Sequence, residues 1–431
     1  MRRTMMCAVI GALAVGLLAA TPANAAGSFY DPPPEVTAAP GELVRAEPMR
    51  LAASVSFGGK VSALPGTATR IMYSSTDATG RPVAVSGVYI EPTKRWWGGG
   101  DRPLVSFAEG TQGQGDACAP SRTLEKALVV DSEAIAIGYE IPNIYAFLDR
   151  GIAVVVTDYI GLGTTDRVHS YVVRLDSGHA VLDAARVASA VPGASVTDDS
   201  PVGLYGYSQG GGAVASAAEL APTYAPELDV KGAYAGAPPA DLAAVMRSAD
   251  DTSLTGVIGF ALNGISQYEP GLQAALEPEI SDHGRATLSA LSTGCIGDAL
   301  LTSGTAFTST ASWTTSGDSL YDVAQRVPEA LAAIDRQRIG TLAPEVPVMV
   351  LTGTKDDIVG HGQTKQLAKD WCAKGVDVRY VPVVQPASSH GTALNHLGPA
   401  ITRSLQSQEW LVDRLEGRTM YDNCAFLPLL P

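Results

Sequence analysis

The sequence predicts an α/β protein with a mostly parallel central sheet, helices on both faces and an inserted helical subdomain. Three observations carry this expectation. From Pro103 onward short apolar runs alternate with helical segments, and each run ends in Gly, Asp or Ser. Gly206-Tyr207-Ser208-Gln209-Gly210 stands where one such run meets a helix start. Between Tyr234 and Val346 about 100 residues pass without a convincing strand, far more than an ordinary connection. Strands alternating with helices pair in parallel, because each helix carries the chain back across the sheet before the next strand begins.

The chain has 431 residues, with 30 Lys and Arg against 44 Asp and Glu, a net charge of −14. A strongly acidic surface repels phosphate backbones, so nucleic acid is an unsuitable partner. With 46% hydrophobic and 17% charged residues the chain can bury a large core, which excludes disorder.

In chain order, Arg2 and Arg3, an apolar run from Met5 to Ala20 and the small-residue triplet Ala23-Asn24-Ala25 predict a cleaved signal peptide over 1–25 and a secreted protein. No later stretch is long and uncharged enough to span a bilayer, so the mature chain is expected to be soluble. A Pro-rich entry, Tyr30 to Pro34, precedes a hairpin whose strands, 70–75 and 82–91, flank Asp77-Ala78-Thr79-Gly80. Further strands are expected at 104–107, 152–157, 202–205, 231–234, 346–351 and 376–384. Inside the insertion Leu254, Val257, Ile258, Ala261, Leu262 and Ile265 form one face of a helix, either packed on a core or presented to substrate by a mobile cap.

At the Gly-x-Ser-x-Gly bend, Ser208 is forced into a strained conformation. Gly206 and Gly210 keep the strand and the helix from colliding there. The helix start aims backbone N–H groups at the place where an oxyanion forms, and the Gln209 amide is one expected donor. A second should come from the loop after an earlier strand, where Gly110 lets a backbone N–H approach closely.

The partners of such a serine follow it in the chain, acid before base. His283 lies in the insertion and His361 opens a helix, which leaves His390 and His396 beyond the last strand. Placement before a helical run favours His396, and His390 stays open. Asp356 and Asp357 leave the strand that ends at Leu351. Asp356 is preferred as the buried carboxylate that orients an imidazole, with Asp357 expected to be solvated or capping. No zinc-protease, phosphate-binding or dinucleotide motif occurs, so no cofactor or metal is implied. Outside the leader, Cys118, Cys295, Cys372 and Cys424 make an even set without C-x-x-C spacing, which suits two disulfides in an oxidising compartment.

With these residues in view the chain resembles the secretory lipases, the lipase A-like branch of the α/β-hydrolases. The likeness rests on Phe29-Tyr30-Asp31-Pro32-Pro33, Glu109-Gly110-Thr111, Cys118-Ala119-Pro120-Ser121, Asp158-Tyr159-Ile160-Gly161-Leu162-Gly163, Asp356-Asp357-Ile358-Val359, Trp371-Cys372 and Trp410-Leu411-Val412-Asp413-Arg414, with the serine pentapeptide. It implies the α/β-hydrolase fold and a triad of Ser208, Asp356 and His396. It also implies disulfides Cys118–Cys295 and Cys372–Cys424, and a helical lid over 238–342 between core segments 26–237 and 343–431. Two departures stand out. Gly360-His361 occurs where the family often has Pro and an aromatic residue, and 385–395 is an extended approach to the base that leaves His390 in play.

The expected function is a secreted carboxylic ester hydrolase of triacylglycerol lipase type, monomeric, acting on an ester or lipid substrate with transient contact to a lipid interface. The rivals are a serine peptidase or an acyltransferase on the same fold, and a binding protein that keeps the fold without turnover.

Overall fold

The computed structural model describes residues 28–52, 64–130, 134–385 and 390–431. The expected leader, 1–25, lies outside the described residues, as do Ser388 and Ser389 of the turn expected before His390.

The chain opens with β1 (Leu43–Met49), β2 (Gly66–Thr76) and β3 (Pro82–Pro92), paired antiparallel in sequence. The β2–β3 hairpin is longer at both ends than its sequence signal, and β1 was not foreseen. After β4 (Leu104–Ala108) come α1 (Pro120–Lys126), a small hairpin of β5 (Leu128–Val130) and β6 (Ile135–Ile137), α2 (Ile141–Leu148), β7 (Ala153–Thr157) and α3 (Arg174–Val187). Then follow β8 (Val202–Tyr207), α4 (Gln209–Tyr224) and β9 (Val230–Gly236).

Seven helices fill the next stretch: α5 (Leu242–Ala249), α6 (Gly256–Ser266), α7 (Pro270–Leu276), α8 (Asp282–Leu291), α9 (Ile296–Leu301), α10 (Leu320–Arg326) and α11 (Pro328–Asp335). No strand lies among them; isolated bridges pair Ile280 with Thr314, and Cys295 with Gly113 of the core. The chain closes with β10 (Val348–Gly353), α12 (His361–Ala373), β11 (Val378–Val383), α13 (Leu394–Thr402) and α14 (Ser404–Leu415).

Nine strands form one sheet in the order β1-β2-β3-β7-β4-β8-β9-β10-β11, parallel from β7 to β11. Its central strands read as unbroken apolar runs because helices cover both faces. Val105, Phe107, Val154 and Val156 face α2 and α14, among Phe147, Leu148, Leu411 and Leu415. The alternate residues Leu104, Ala108, Ala153 and Val155 face α3, α4 and α12. This period of two along each strand divides the core into two layers.

The parallel strands all end at one edge of the sheet, where open α/β folds gather their ligand-binding loops. The segments after β4, β8, β10 and β11 meet there. Two disulfides tie outlying parts to this frame: Cys118–Cys295 joins the loop after β4 to the start of α9, and Cys372–Cys424 joins α12 to the C-terminal segment.

Candidate active site

Ser208 sits between β8 and α4 with φ 57° and ψ −120°, held by its amide donating to Gly236 O at 2.8 Å. Few residues adopt such a backbone without support. The flanking glycines are steric necessities. A Cβ on Gly210 would lie 1.9 Å from Ala108 O, and one on Gly206 would lie 2.3 Å from Gly210 O. The helix start packs directly on the backbone of β4, and any side chain would push it off.

The structure brings His396, not His390, to this serine. His396 Nε2 is 2.9 Å from Ser208 Oγ, and His396 Nδ1 is 2.8 Å from Asp356 Oδ2. His396 and Asp356 are both buried, whereas Ser208 is partly open to solvent. Asp356 Oδ1 accepts the Ile358 and Val359 amides at 3.1 and 3.0 Å, so the carboxylate is fixed at both oxygens. Tyr207 Oη donates to His396 O at 2.6 Å, which pins the backbone of His396 to β8.

His390 is exposed and lies 3.7 Å from Asp357. Asp357 corrects the sequence expectation, since it is buried, not solvated. Its Oδ2 accepts the Gly391 amide at 2.7 Å and Asn395 Nδ2 at 3.1 Å. Both adjacent carboxylates turn inward, Asp356 towards the imidazole and Asp357 towards the segment that leads to it.

Gln209 begins α4, so its amide stands at the positive end of a helix of 16 residues. Gly110 lies just past β4 as expected, close under Tyr139 Oη and Tyr207 O. Its amide bonds the buried Glu140 carboxylate, so Gly110 N–H already has a partner. Burial, reinforced by Glu140 and Asp158, pushes the Glu109 carboxyl well above the ordinary range, and Gln112 Nε2 donates to its Oε2 at 2.7 Å.

The sequence reading missed the aromatic frame around this loop. Tyr159 Oη donates to Glu109 O at 2.5 Å, Tyr139 Oη donates to Thr111 O at 3.0 Å, and Tyr171 Oη lies 2.7 Å from Thr111 Oγ1. Tyr159 belongs to Asp158-Tyr159-Ile160-Gly161-Leu162-Gly163, but nothing in its local spacing points at Glu109, 50 residues earlier. Asp158, Ser121 and Tyr30 serve as scaffold. Asp158 accepts Ser86 Oγ at 2.6 Å and both the amide and Oγ of Ser121, at 2.8 and 2.6 Å, while Tyr30 Oη lies 2.8 Å from Ser121 Oγ.

The apolar stripe of α6 turns inward among the other inserted helices. Ile258, Leu262 and Ile265 line a narrow, wholly apolar cavity with Leu242, Met246 and Leu276. Among the described residues no cluster of His, Cys, Asp and Glu is arranged to hold a metal ion.

The model of the family described as "Secretory lipase" matches residues 127–423. The chain belongs to the secretory lipase family. It is therefore a hydrolase of the lipase and esterase type. Among its relatives, Lipase 2 of Candida albicans is 26% identical over 418 residues, covering 94% of this chain and 84% of the relative. A Mycobacterium tuberculosis protein named "probable inactive lipase" is 28% identical over 404 residues, covering 92% and 83%. Among solved structures, Candida antarctica lipase A in its closed state superposes with a TM-score of 0.73 at 21% identity, covering 92% of this chain and 87% of that one. The rice cell wall degrading esterase LipA from Xanthomonas oryzae gives 0.73 at 18% identity, covering 88% and 100%. These superpositions establish the α/β-hydrolase fold for this member of the family.

Proposed function

We propose that this secretory lipase family member is a secreted carboxylic ester hydrolase acting through Ser208, His396 and Asp356. The observation that carries the reading is the unbroken hydrogen-bonded path from Ser208 Oγ through His396 to Asp356, at 2.9 and 2.8 Å, on a strained turn at a helix start. With Nδ1–H donating to Asp356, His396 Nε2 is the free base that takes the serine proton as Oγ bonds to the ester carbonyl carbon. The carbonyl electrons move to oxygen, where the Gln209 amide and an amide of the loop containing Gly110 stabilise them. Collapse expels the alcohol, which takes the proton back from the imidazolium. Water then repeats the sequence on the acyl-enzyme and releases the acid.

Residues 238–342 are proposed as a lid, since the stretch is helical and joined to the core on both sides. The leader 1–25 is proposed to direct secretion, in keeping with relatives such as the secreted triacylglycerol lipase LIP4 of Malassezia globosa. The family's description as secretory lipases supports esters over amides, which sets the peptidase rival behind. The inactive name of one relative makes a silent binding protein the second reading.

Hydrolysis of p-nitrophenyl esters of increasing chain length by the purified protein decides between them. Ser208→Ala is expected to lose about 10⁴-fold or more in kcat. An inert wild type that a fluorophosphonate leaves unlabelled would support the second reading.

A further inference from the structure

His169 is a buried histidine that the proposed reaction does not use, and it touches the residue after the serine. Its Nδ1 lies 3.0 Å from Ile160 O, and a carbonyl can only accept, so Nδ1 carries the proton. In the neutral ring Nε2 is then an acceptor. Gln209 Nε2 lies 2.8 Å from it and donates. Burial holds the ring neutral, with its pKa lowered to about 4.

The ring is itself clamped between two tyrosines. It stacks on Tyr159 with centroids 5.6 Å apart and meets Tyr171 edge-on at 5.9 Å. These are the tyrosines that bond Glu109 O and Thr111 Oγ1. Gln114 Nε2 holds the His169 carbonyl at 2.9 Å, and Gln114 continues the same loop. The Gln209 side chain is therefore tied, through one imidazole, to both aromatic supports of the loop after β4.

We propose that His169 is a positioning residue for the oxyanion hole. It fixes the side chain of Gln209 and, through Tyr159 and Tyr171, sets the spacing between the α4 N-terminus and the 109–111 loop. The inference rests on the ester-hydrolase reading above. Both donors of an oxyanion hole must sit about 2.7–3.1 Å from the developing charge, and donors supplied by two separate segments need a common brace to hold that distance to within about 0.5 Å.

The test compares His169→Phe, which keeps a ring but removes the acceptor, with His169→Gln, whose Oε1 can accept the same Gln209 donor. Rates are expressed per active site, titrated to the end point with a fluorophosphonate. His169→Phe is expected to lower kcat about 10- to 100-fold with KM little changed, the effect of a displaced donor. His169→Gln should recover most of that loss. Gln209→Met keeps the backbone amide but removes the side-chain donor. It should cost as much as His169→Phe, and the double variant should cost no more than either alone. Gln209→Met by itself stands in for His169→Phe should that variant not fold, and an unchanged kcat per site in Gln209→Met would then overturn the proposal.

Equal kcat values per site for wild type, His169→Phe and Gln209→Met would overturn the proposal. So would a loss in His169→Phe that His169→Gln does not relieve. Either result in an enzyme still dependent on Ser208 leaves the ester-hydrolase reading intact. A wild type inert towards every ester would instead remove that reading.

Discussion

At Asp357 a buried carboxylate accepts the Gly391 amide and the Asn395 side chain, and so grips the segment that leads to His396. The Ser253 amide donates to Gly391 O at 2.7 Å from the other side, which fastens the same segment to the chain between α5 and α6. The neighbouring aspartates therefore divide the work, Asp356 orienting the ring and Asp357 anchoring its backbone. Asp356→Asn is expected to cost about 10⁴-fold in kcat, because the amide favours the wrong tautomer of His396. Asp357→Ala is expected to cost about tenfold through a loosened base. It should also lose about 1–3 kcal/mol of stability from the stranded donors. Kinetics and urea unfolding of both variants check this, and a larger kinetic loss at Asp357 would exchange their roles. The sequence could place both aspartates after a buried strand, since Val348 to Leu351 announces that strand locally. It could not tell which carboxyl meets the imidazole, because that contact spans 40 residues and depends on how the 390–395 segment packs.

At the scale of elements, the strand-and-helix alternation was legible because each parallel strand is an uninterrupted apolar run closed by a turn residue. β1 and the β5–β6 hairpin were not, because their exposed and half-buried positions leave no clean pattern: Leu128, Val130 and Ile137 are all exposed. The far edge of the sheet shows a device no local signal reveals. Asn423 receives the Tyr380 amide and donates to the Tyr380 carbonyl, both at 2.8 Å, so a side chain pairs with β11 as a strand would. That covers an edge otherwise open to another chain. The Cys372–Cys424 bond, 52 residues apart in sequence, holds the segment there. Replacing both cysteines by serine is expected to destabilise the protein by about 4 kcal/mol in the loop-entropy limit. The kcat should not change, because Cys372 lies at the end of α12 remote from Ser208. Urea unfolding midpoints and ester kinetics on the double variant check both halves.

Over the whole molecule, the inserted helices are clasped to the core by buried polar groups as well as apolar packing. Asp176 on α3 accepts the Ala78 amide and Tyr268 Oη, both at 2.6 Å, joining the hairpin turn of the core to the end of α6. Burial, with Asp77 adding to it, raises the Asp176 carboxyl from 3.8 to about 6. Folding therefore favours its protonated form, and its contribution to stability is lost as pH rises from about 4 to 6. His169 acts in the opposite sense. The unfolded ring takes a proton near 6.5 and the folded one only near 4, so its contribution is present above 6.5 and lost as pH falls towards 4. Each linkage is worth about 3 kcal/mol across its window, and in the wild type the two largely offset. Unfolding midpoints measured from pH 4 to 7 should separate them. Relative to wild type, Asp176→Asn gains stability as pH rises and His169→Gln gains as pH falls. Parallel curves for all three proteins would refute this linkage.

The sequence by itself determined the fold class, the strained serine and the need for glycine on either side of it, because these follow from residues within a few positions of one another. A hydroxyl on a tight strand-to-helix bend is specified by that bend alone. Tertiary structure decided which histidine reaches the serine, which aspartate reaches that histidine, and which side chains pack around the loop opposite. Ser208 and His396 are 188 residues apart, and His169 meets Gln209 across 40. Contacts of that kind are fixed by the packing of whole strands and helices against a common core, and no local pattern encodes their final distance.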